Sequence, residues 1–375
     1  MRPFGYGFVI LLMTMAVSDA QELQSFQTCQ ECHAQSVLDW KTSSHARSTA
    51  EVNPFYRAML QRARRADKAD DCDRCHQPVT ALGLNDFDAR KLKNEGVTCD
   101  VCHAARVVGK GKDARLELVP GNVKFGPYKD AVPVGHQAAY SSTLVSSQFC
   151  MTCHGNLQTA HGMSFCSTED EYRRSSFAQN GVTCQDCHMP SMEGKTAELG
   201  KIRAVHSHIF YGGYNSEILR NCASIELTLQ KSSDNLQAVI RVTNKTVGHS
   251  LPTGSPMRMV VLTVQAFDKE GNLIWQNYGD SPFTDQQAVF MRLLENERGE
   301  APAPPWEAAR VRFDQRLKAD ETRELSYTFP SMQVHHINAT LSYLLAPKAL
   351  LEKLDLLYEP YLTPIVIAAV HQTVD

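Results

Sequence analysis

The 375-residue chain is notable first for what it lacks. Beyond its first twenty residues it has no apolar run near the roughly 20 residues that a bilayer-spanning helix needs. "PIVIAAV" at 364–370 is short and β-branched and reads as a strand. It lacks a basic stripe: 38 Lys and Arg stand against 41 Asp and Glu, a net charge of −3, which argues against nucleic acid as a partner. The one basic cluster, "RARRADK" at 62–68, reads as a solvated helix face. Residues 21–221 have modest apolar content and few strand-like runs, too little for an ordinary side-chain core. Only Cys166 and Cys222, of twelve cysteines, fall outside a single recurring pattern. In an oxidising compartment these two either pair or stay buried as free thiols.

The pattern is Cys-x-x-Cys-His, and it occurs five times: Cys29/Cys32/His33, Cys72/Cys75/His76, Cys99/Cys102/His103, Cys150/Cys153/His154 and Cys184/Cys187/His188. A lone CxxC serves equally as a zinc half-site or a redox pair. A trailing histidine in all five copies is required by neither chemistry. It is required by covalent attachment of haem c, in which two thiols add to the vinyl groups and the histidine becomes the proximal iron ligand. Five covalently bound haem c groups are expected, and the porphyrins themselves would supply the core of 21–221. By the logic of metal-dependent domains, this region would not fold without them.

One phrase is written twice, "GVTCDVCH" at 96–103 and "GVTCQDCH" at 181–188. Each copy follows an earlier motif, so the second and third motifs, and the fourth and fifth, read as a repeated two-haem unit with the first haem outside it. Proline two residues after His76 and after His188 should stop the helix that carries each motif.

Nine histidines remain to close the irons' far side. His45, His136, His208 and His249 are the preferred distal ligands. His45 follows His33 by twelve residues, His136 precedes the fourth motif, His208 stands ahead of paired glycines, and His249 lies in a Gly/Pro-flanked loop between strands. His161 and His206 are secondary candidates, and the same two would be acid/base groups were one iron left open. His335, His336 and His371 read as surface or strand residues. Met257 and Met259 beside His249 mimic a copper site, but their alternation fits a strand.

From about residue 222 the character changes. "SIELTLQ" (224–230), "LQAVIRVTN" (236–244), "MRMVVLTVQAFD" (257–268), "LIWQNY" (273–278), "ARVRFDQRL" (309–317), "ETRELSYTF" (321–329) and "INATLSYLL" (337–345) read as strands, with "DKEGN" (268–272) as a hairpin turn and "KALLEKLDLL" (348–357) as a helix. Helices are also expected at 53–66 and 169–180. The expected fold is α+β: a mostly helical or irregular multihaem domain at 21–221 and an antiparallel β-sandwich at 222–375. Residues 1–20 read as a secretory signal: Arg2, the apolar "FVILLMTMAV" and the small residues "SDA", with no cysteine after the core to mark a lipoprotein. A periplasmic, secreted or cell-surface location is expected.

"TCQECHAQSVLDWKTSSHARS", "GVTCQDCHMP" and "HIFYGG" resemble multihaem c-type cytochromes related to the tetrahaem electron carrier of ammonia oxidisers and to hydroxylamine oxidoreductase, over roughly residues 26–213. The resemblance implies closely paired haems, mostly with two axial histidines, and distal roles for His45 and His208. "VGHSLPTG" resembles a β-domain appended to some multihaem cytochromes, whose histidine approaches a haem. Five motifs depart from both four and eight, and no tyrosine cross-link signature is seen. The expected function is electron transfer between redox proteins along stacked haems. The alternatives are a reductase or oxidase of nitrite, nitric oxide, hydroxylamine or peroxide at one open haem, and a subunit of a polymerised or surface cytochrome assembly.

Overall fold

The computed structural model of the chain describes residues 22–68, 72–81, 90–159, 162–330 and 333–374. The expected leader at 1–20 and the candidate ligand His161 lie outside the described residues.

In the amino-terminal portion the helices are short and built around the motifs: Phe26–Gln30, Asp73–His76, Cys99–His103, Ser147–His154 and Cys184–His188. The longest helix, Pro54–Arg65, has Asn53 accepting from the Tyr56 amide at its start, proline in its first turn, and Arg62, Arg64 and Arg65 at its negative end. The expected helix at 169–180 forms as two pieces, Thr168–Arg173 and Ser176–Gln179. Ser175 breaks it, its side chain capping the second piece through the Ala178 amide. Both prolines stop their motif helices, because the residue before a proline is pushed out of the helical region: Gln77 and Met189 have left it, at φ −139° and −136°. Pro78 then opens a further turn, Pro78–Ala81.

Few strands were expected here, yet a hairpin follows three of the five motif helices directly: Ala105–Val108 with Arg115–Leu118, Asn156–Gln158 with Ser164–Ser167, and Ser191–Lys195 with Ile202–His206. Val123–Gly126 and Gln137–Tyr140 add a short parallel pair, and the loop between them carries His136. These strands escape pattern recognition because they are short and border a cavity rather than an apolar core. The largest apolar core cluster of this portion comprises only Leu23, Val79, Leu92, Val101 and Ala104.

The carboxy-terminal portion is strand-rich and antiparallel. Ser224–Lys231, Asn235–Thr243 and Thr322–Pro330 form one sheet, with Asn235–Thr243 in the middle. A second sheet runs Leu273–Gln276, Met259–Phe267, His336–Leu344, Ile365–Thr373, and Val289–Phe290 also pairs with Met259–Phe267. Alternation places Leu236, Ala238, Ile240 and Val242 of the first sheet in one core with Leu262, Val264, Ile337, Ala339 and Leu341 of the second. Met259 and Val261 are buried on the opposite face, against Val289, Met291 and Leu293. The strand pair Arg292–Asn296 with Ala308–Asp314 lies outside both sheets. The expected helix at 348–357 is shorter, Lys348–Lys353.

Candidate haem sites

Each motif lies on a turn of helix, where residues i, i+3 and i+4 share a face. The His33 amide donates to the Cys29 carbonyl at 2.9 Å, and the His76 amide to Cys72 at 3.2 Å. Both thiols and the imidazole of a motif therefore point to one side. All fifteen motif residues line a single connected cavity of about 3180 Å³. That is several times the roughly 300–1,000 Å³ of an ordinary single-ligand pocket.

Four of the five motif imidazoles are fixed through Nδ1. His33 donates to the Thr196 carbonyl at 2.5 Å, His76 to Ser48 at 3.1 Å, His103 to Phe125 at 2.7 Å, and His188 to Tyr211. A backbone acceptor on Nδ1 leaves Nε2 as the lone pair available to a metal.

Four of the five motif histidines face a second histidine. His33 and His136 lie 6.2 Å apart between ring centres, His45 and His154 6.1 Å, His103 and His208 6.2 Å, and His188 and His249 6.2 Å. Two metal–imidazole bonds of about 2 Å, with about 1.1 Å from nitrogen to ring centre on either side, span about 6.2 Å. The donor sets therefore fit an iron between each pair. His136, His208 and His249 also hold Nδ1 on backbone carbonyls, of Gln137, His206 and Ser250. The Nδ1 of His45 is buried without a hydrogen-bond partner among the described residues. Burial pushes the imidazoles of His154, His208 and His249 down to about 4 and that of His45 to about 3, each helped by a neighbouring charge. All four are neutral at pH 7, the form that ligates metal.

The pairings differ from a simple reading of the sequence. His45 opposes the fourth motif, not the adjacent first, and the first motif receives His136 instead. His206 opposes no motif histidine among the described residues. It donates to the Met189 carbonyl at 2.6 Å, and its own carbonyl positions His208. His336 stacks on Phe267 with ring centres 4.6 Å apart.

No histidine among the described residues opposes His76. The Tyr56 ring instead lies flat on the His76 imidazole, with centres 3.9 Å apart and planes 5° apart, and its hydroxyl donates to Asp73 at 3.1 Å. Nothing in the sequence marks Tyr56 apart from its place in an amphipathic helix. Phe210 was also missed. Its ring sits 4.4 Å from His45 and 5.8 Å from His208, and its backbone is left-handed, at φ 51°. A bulky residue holds that conformation only at some cost.

The repeated unit needs correcting. The Cys99 thiol meets Cys29, and Cys184 meets Cys150, so the doubled phrase joins the third motif to the first and the fifth to the fourth. The two joints are built alike. The residue after the first cysteine grips the chain entering the partner motif: Asp100 accepts from the Gln24 amide at 2.6 Å, and Gln185 donates to the Leu144 and Ser146 carbonyls at 2.9 Å. The valine carbonyl of each phrase accepts from an aromatic of the helix that follows the partner motif, Trp40 Nε1 to Val97 at 2.9 Å and Tyr172 hydroxyl to Val182 at 2.7 Å. Both leading glycines have positive φ, 63° at Gly96 and 75° at Gly181. The second motif lies apart from this symmetry, its Cys75 thiol meeting Cys153 of the fourth. Cys102 of the third motif is close enough to Cys150 and Cys153 to act on both electrostatically. Cys166 and Cys222 are separate, buried free thiols, so no bridge joins them.

Motif turns, a shared cavity and opposed neutral imidazoles define a multihaem c-type cytochrome, which binds haem c covalently and transfers electrons. The comparisons narrow this class. The family model for cytochrome c554 and c-prime matches residues 28–104, which span the first three motifs. The crystal structure of a penta-heme cytochrome c552 from Thermochromatium tepidum is similar, with a TM-score of 0.78 and 26% identity over 94% of this chain and 99% of that one. A β-glucosidase from Kluyveromyces marxianus matches with a TM-score of only 0.16 and 9% identity over 44% of this chain and 18% of that one, and it carries no weight. None of the curated proteins matches the chain.

Proposed function

We propose that the chain is an exported pentahaem electron-transfer cytochrome with four bis-histidine haems. The observation that carries this reading is the set of four opposed histidine pairs at 6.1–6.2 Å. The cysteine pairs 29/32, 72/75, 99/102, 150/153 and 184/187 would hold the haems, with His33, His76, His103, His154 and His188 proximal and His136, His208, His45 and His249 distal in the pairs described. Haem c supplies a one-electron carrier when bound. The chain's own residues orient the imidazoles, keep them neutral and shield them from water, which are the means by which a protein sets haem potential. An order of first, third, fourth, with the fifth and second both beside the fourth, is supported by the thiol approaches and by the electrostatic influence of Cys102 on Cys150 and Cys153. This makes a branched row rather than a line.

The division into a haem domain ending near 221 and a β-sandwich from 222 is part of the same proposal, supported by the change from a cavity-lined portion to one with two sheets on a common apolar core. Export is supported by the apolar leader sequence and by the chemistry of haem c attachment. No helix among the described residues is long and apolar enough to cross a membrane, so redox protein partners would be met in solution or by docking.

A second reading applies to one site. His76, covered by Tyr56 and unopposed by histidine among the described residues, would leave the second iron open to a small nitrogen compound such as nitrite. Electron paramagnetic resonance of the oxidised protein tests both readings, with the haem count fixed by pyridine haemochrome. Five haems with four low-spin signals support the carrier. A remaining high-spin signal that nitrite shifts supports the open second site. Fewer than five haems overturns the proposal.

A further inference from the structure

Arg258 comes from the strand-rich portion, yet its half-buried side chain lines the cavity. Its hydrogen-bond acceptor is the Thr253 carbonyl, at 3.1 Å from Nη1, and among the described residues it makes no ion pair. A guanidinium carries five donors, so one carbonyl leaves it largely unsatisfied. Tyr343 stands beside it, and the buried Tyr343 hydroxyl has no hydrogen-bond partner among the described residues. Gly213 completes the niche, since a Cβ there would strike the Tyr343 hydroxyl and lie 3.6 Å from Arg258 Cζ. A cation and an orphaned hydroxyl converge on the cavity with no anion paired to them among the described residues, and burying such groups unpaired is costly. The niche adjoins the fifth haem site, since Gly213 lies two residues past the Tyr211 carbonyl that fixes His188 and Thr253 lies four past His249, and the Arg258 charge also reaches His154 of the fourth.

We propose that Arg258 and Tyr343 form a carboxylate seat that binds a haem propionate at the junction of the fourth and fifth haem sites, so that the strand-rich portion sets the reduction potential there. The inference rests on the multihaem reading above. Each haem c brings two propionates, and a guanidinium binds a carboxylate as a two-pronged fork. A fixed positive charge that offsets a propionate favours the reduced iron, so its loss lowers the potential.

The test is a spectroelectrochemical titration of holo-protein carrying Arg258→Gln, Arg258→Lys or Tyr343→Phe, read only where the haemochrome count equals that of the wild type. A low count in the wild type itself would defeat the multihaem reading instead. In Arg258→Gln, one or two steps should move to lower potential by about a tenfold change in the reduction equilibrium, 59 mV for a one-electron couple, while the others stay fixed. Arg258→Lys should restore part of the shift, and Tyr343→Phe should give a smaller shift of the same sign. Should Arg258→Gln fail to mature, Tyr343→Phe carries the test alone. Unmoved midpoints overturn the proposal. So does a wild-type protein in which added phosphate or nitrite shifts the same step, because the seat would then take a free anion.

Discussion

Replacing Glu171 with alanine should loosen His249 without touching it. The Glu171 carboxylate accepts from the Ser250 amide at 3.2 Å and the Thr253 hydroxyl at 2.6 Å, two bonds that hold the loop beginning at His249. It also accepts from Ser167 at 2.6 Å and pairs with Arg316, each side chain being only 10% exposed. Removing one partner of a buried ion pair costs about 3–5 kcal/mol. Arg316 keeps Asp314 at 2.8 Å, so the lower end of about 3 kcal/mol applies. Since about 1.4 kcal/mol is a factor of ten, the population with His249 detached should rise about a hundredfold. Carbon monoxide binding to the reduced protein reads this, because entry at a bis-histidine site waits on detachment. One slow phase should accelerate by about two orders of magnitude while the others stay as they were. Unchanged kinetics in every phase would refute the latch. Acid should mimic the substitution. Burial raises the Glu171 pKa, but Arg316 and the hydroxyl donors outweigh it and hold the carboxyl below its ordinary value. A depressed carboxyl contributes its stability above its unfolded-state pKa and loses it as pH falls through the lower folded value. The wild-type slow phase should therefore speed up only below the usual glutamate range, and Glu171→Ala should lose that dependence.

Gly96→Ala should destabilise the protein more than Gly181→Ala. Both incur the left-handed cost of about 1–2 kcal/mol, but only at Gly96 would the new Cβ collide with the His45 carbonyl and the Ser48 hydroxyl. Thermal melting of the two variants checks this. His208→Ala should convert one low-spin haem to high spin, whereas His206→Ala should leave all four low-spin signals in place, as resonance spectra of the pair will show. Mutating Cys99 and Cys102 to alanine should cost more than one haem's absorbance, because the first motif leans on the third through Glu95, which accepts from both Ser25 and Thr98. A haemochrome count and circular dichroism measure the loss.

The motif residues could be picked out from the sequence, because CxxCH encodes its chemistry within one turn of helix, and the structure gathers all fifteen of them on one cavity. Most strands of the second portion were legible to within three residues, since alternation such as Leu236, Ala238, Ile240, Val242 reflects an ordinary apolar core. The two-residue strand Val289–Phe290 and the strand Arg292–Asn296 were missed, their positions being buried with little alternation. Distal histidines could be chosen but not paired. His45 lies near His33 in sequence, but it is the carbonyl of His45, accepting from the Val97 amide, that turns its ring toward the fourth motif. The haem-side hairpins were invisible for a related reason. They border the cavity, which leaves no periodic apolar trace.

The opposed histidines have a consequence for the making of the protein. In each pair the two rings come from positions about 60 to 110 residues apart, a separation at which a cross-link removes about 4–5 kcal/mol of chain entropy in the disulfide model. The loops also interlock, since the first motif takes its Nδ1 acceptor from Thr196, beyond the fifth motif. The third and fifth sites take their facing histidines from His208 and His249, so these two wait for nearly the whole amino-terminal portion or more to emerge. Thioether attachment at those two motifs would then precede their closure, and the four long-range histidine pairs would draw the chain together as a set of nested staples.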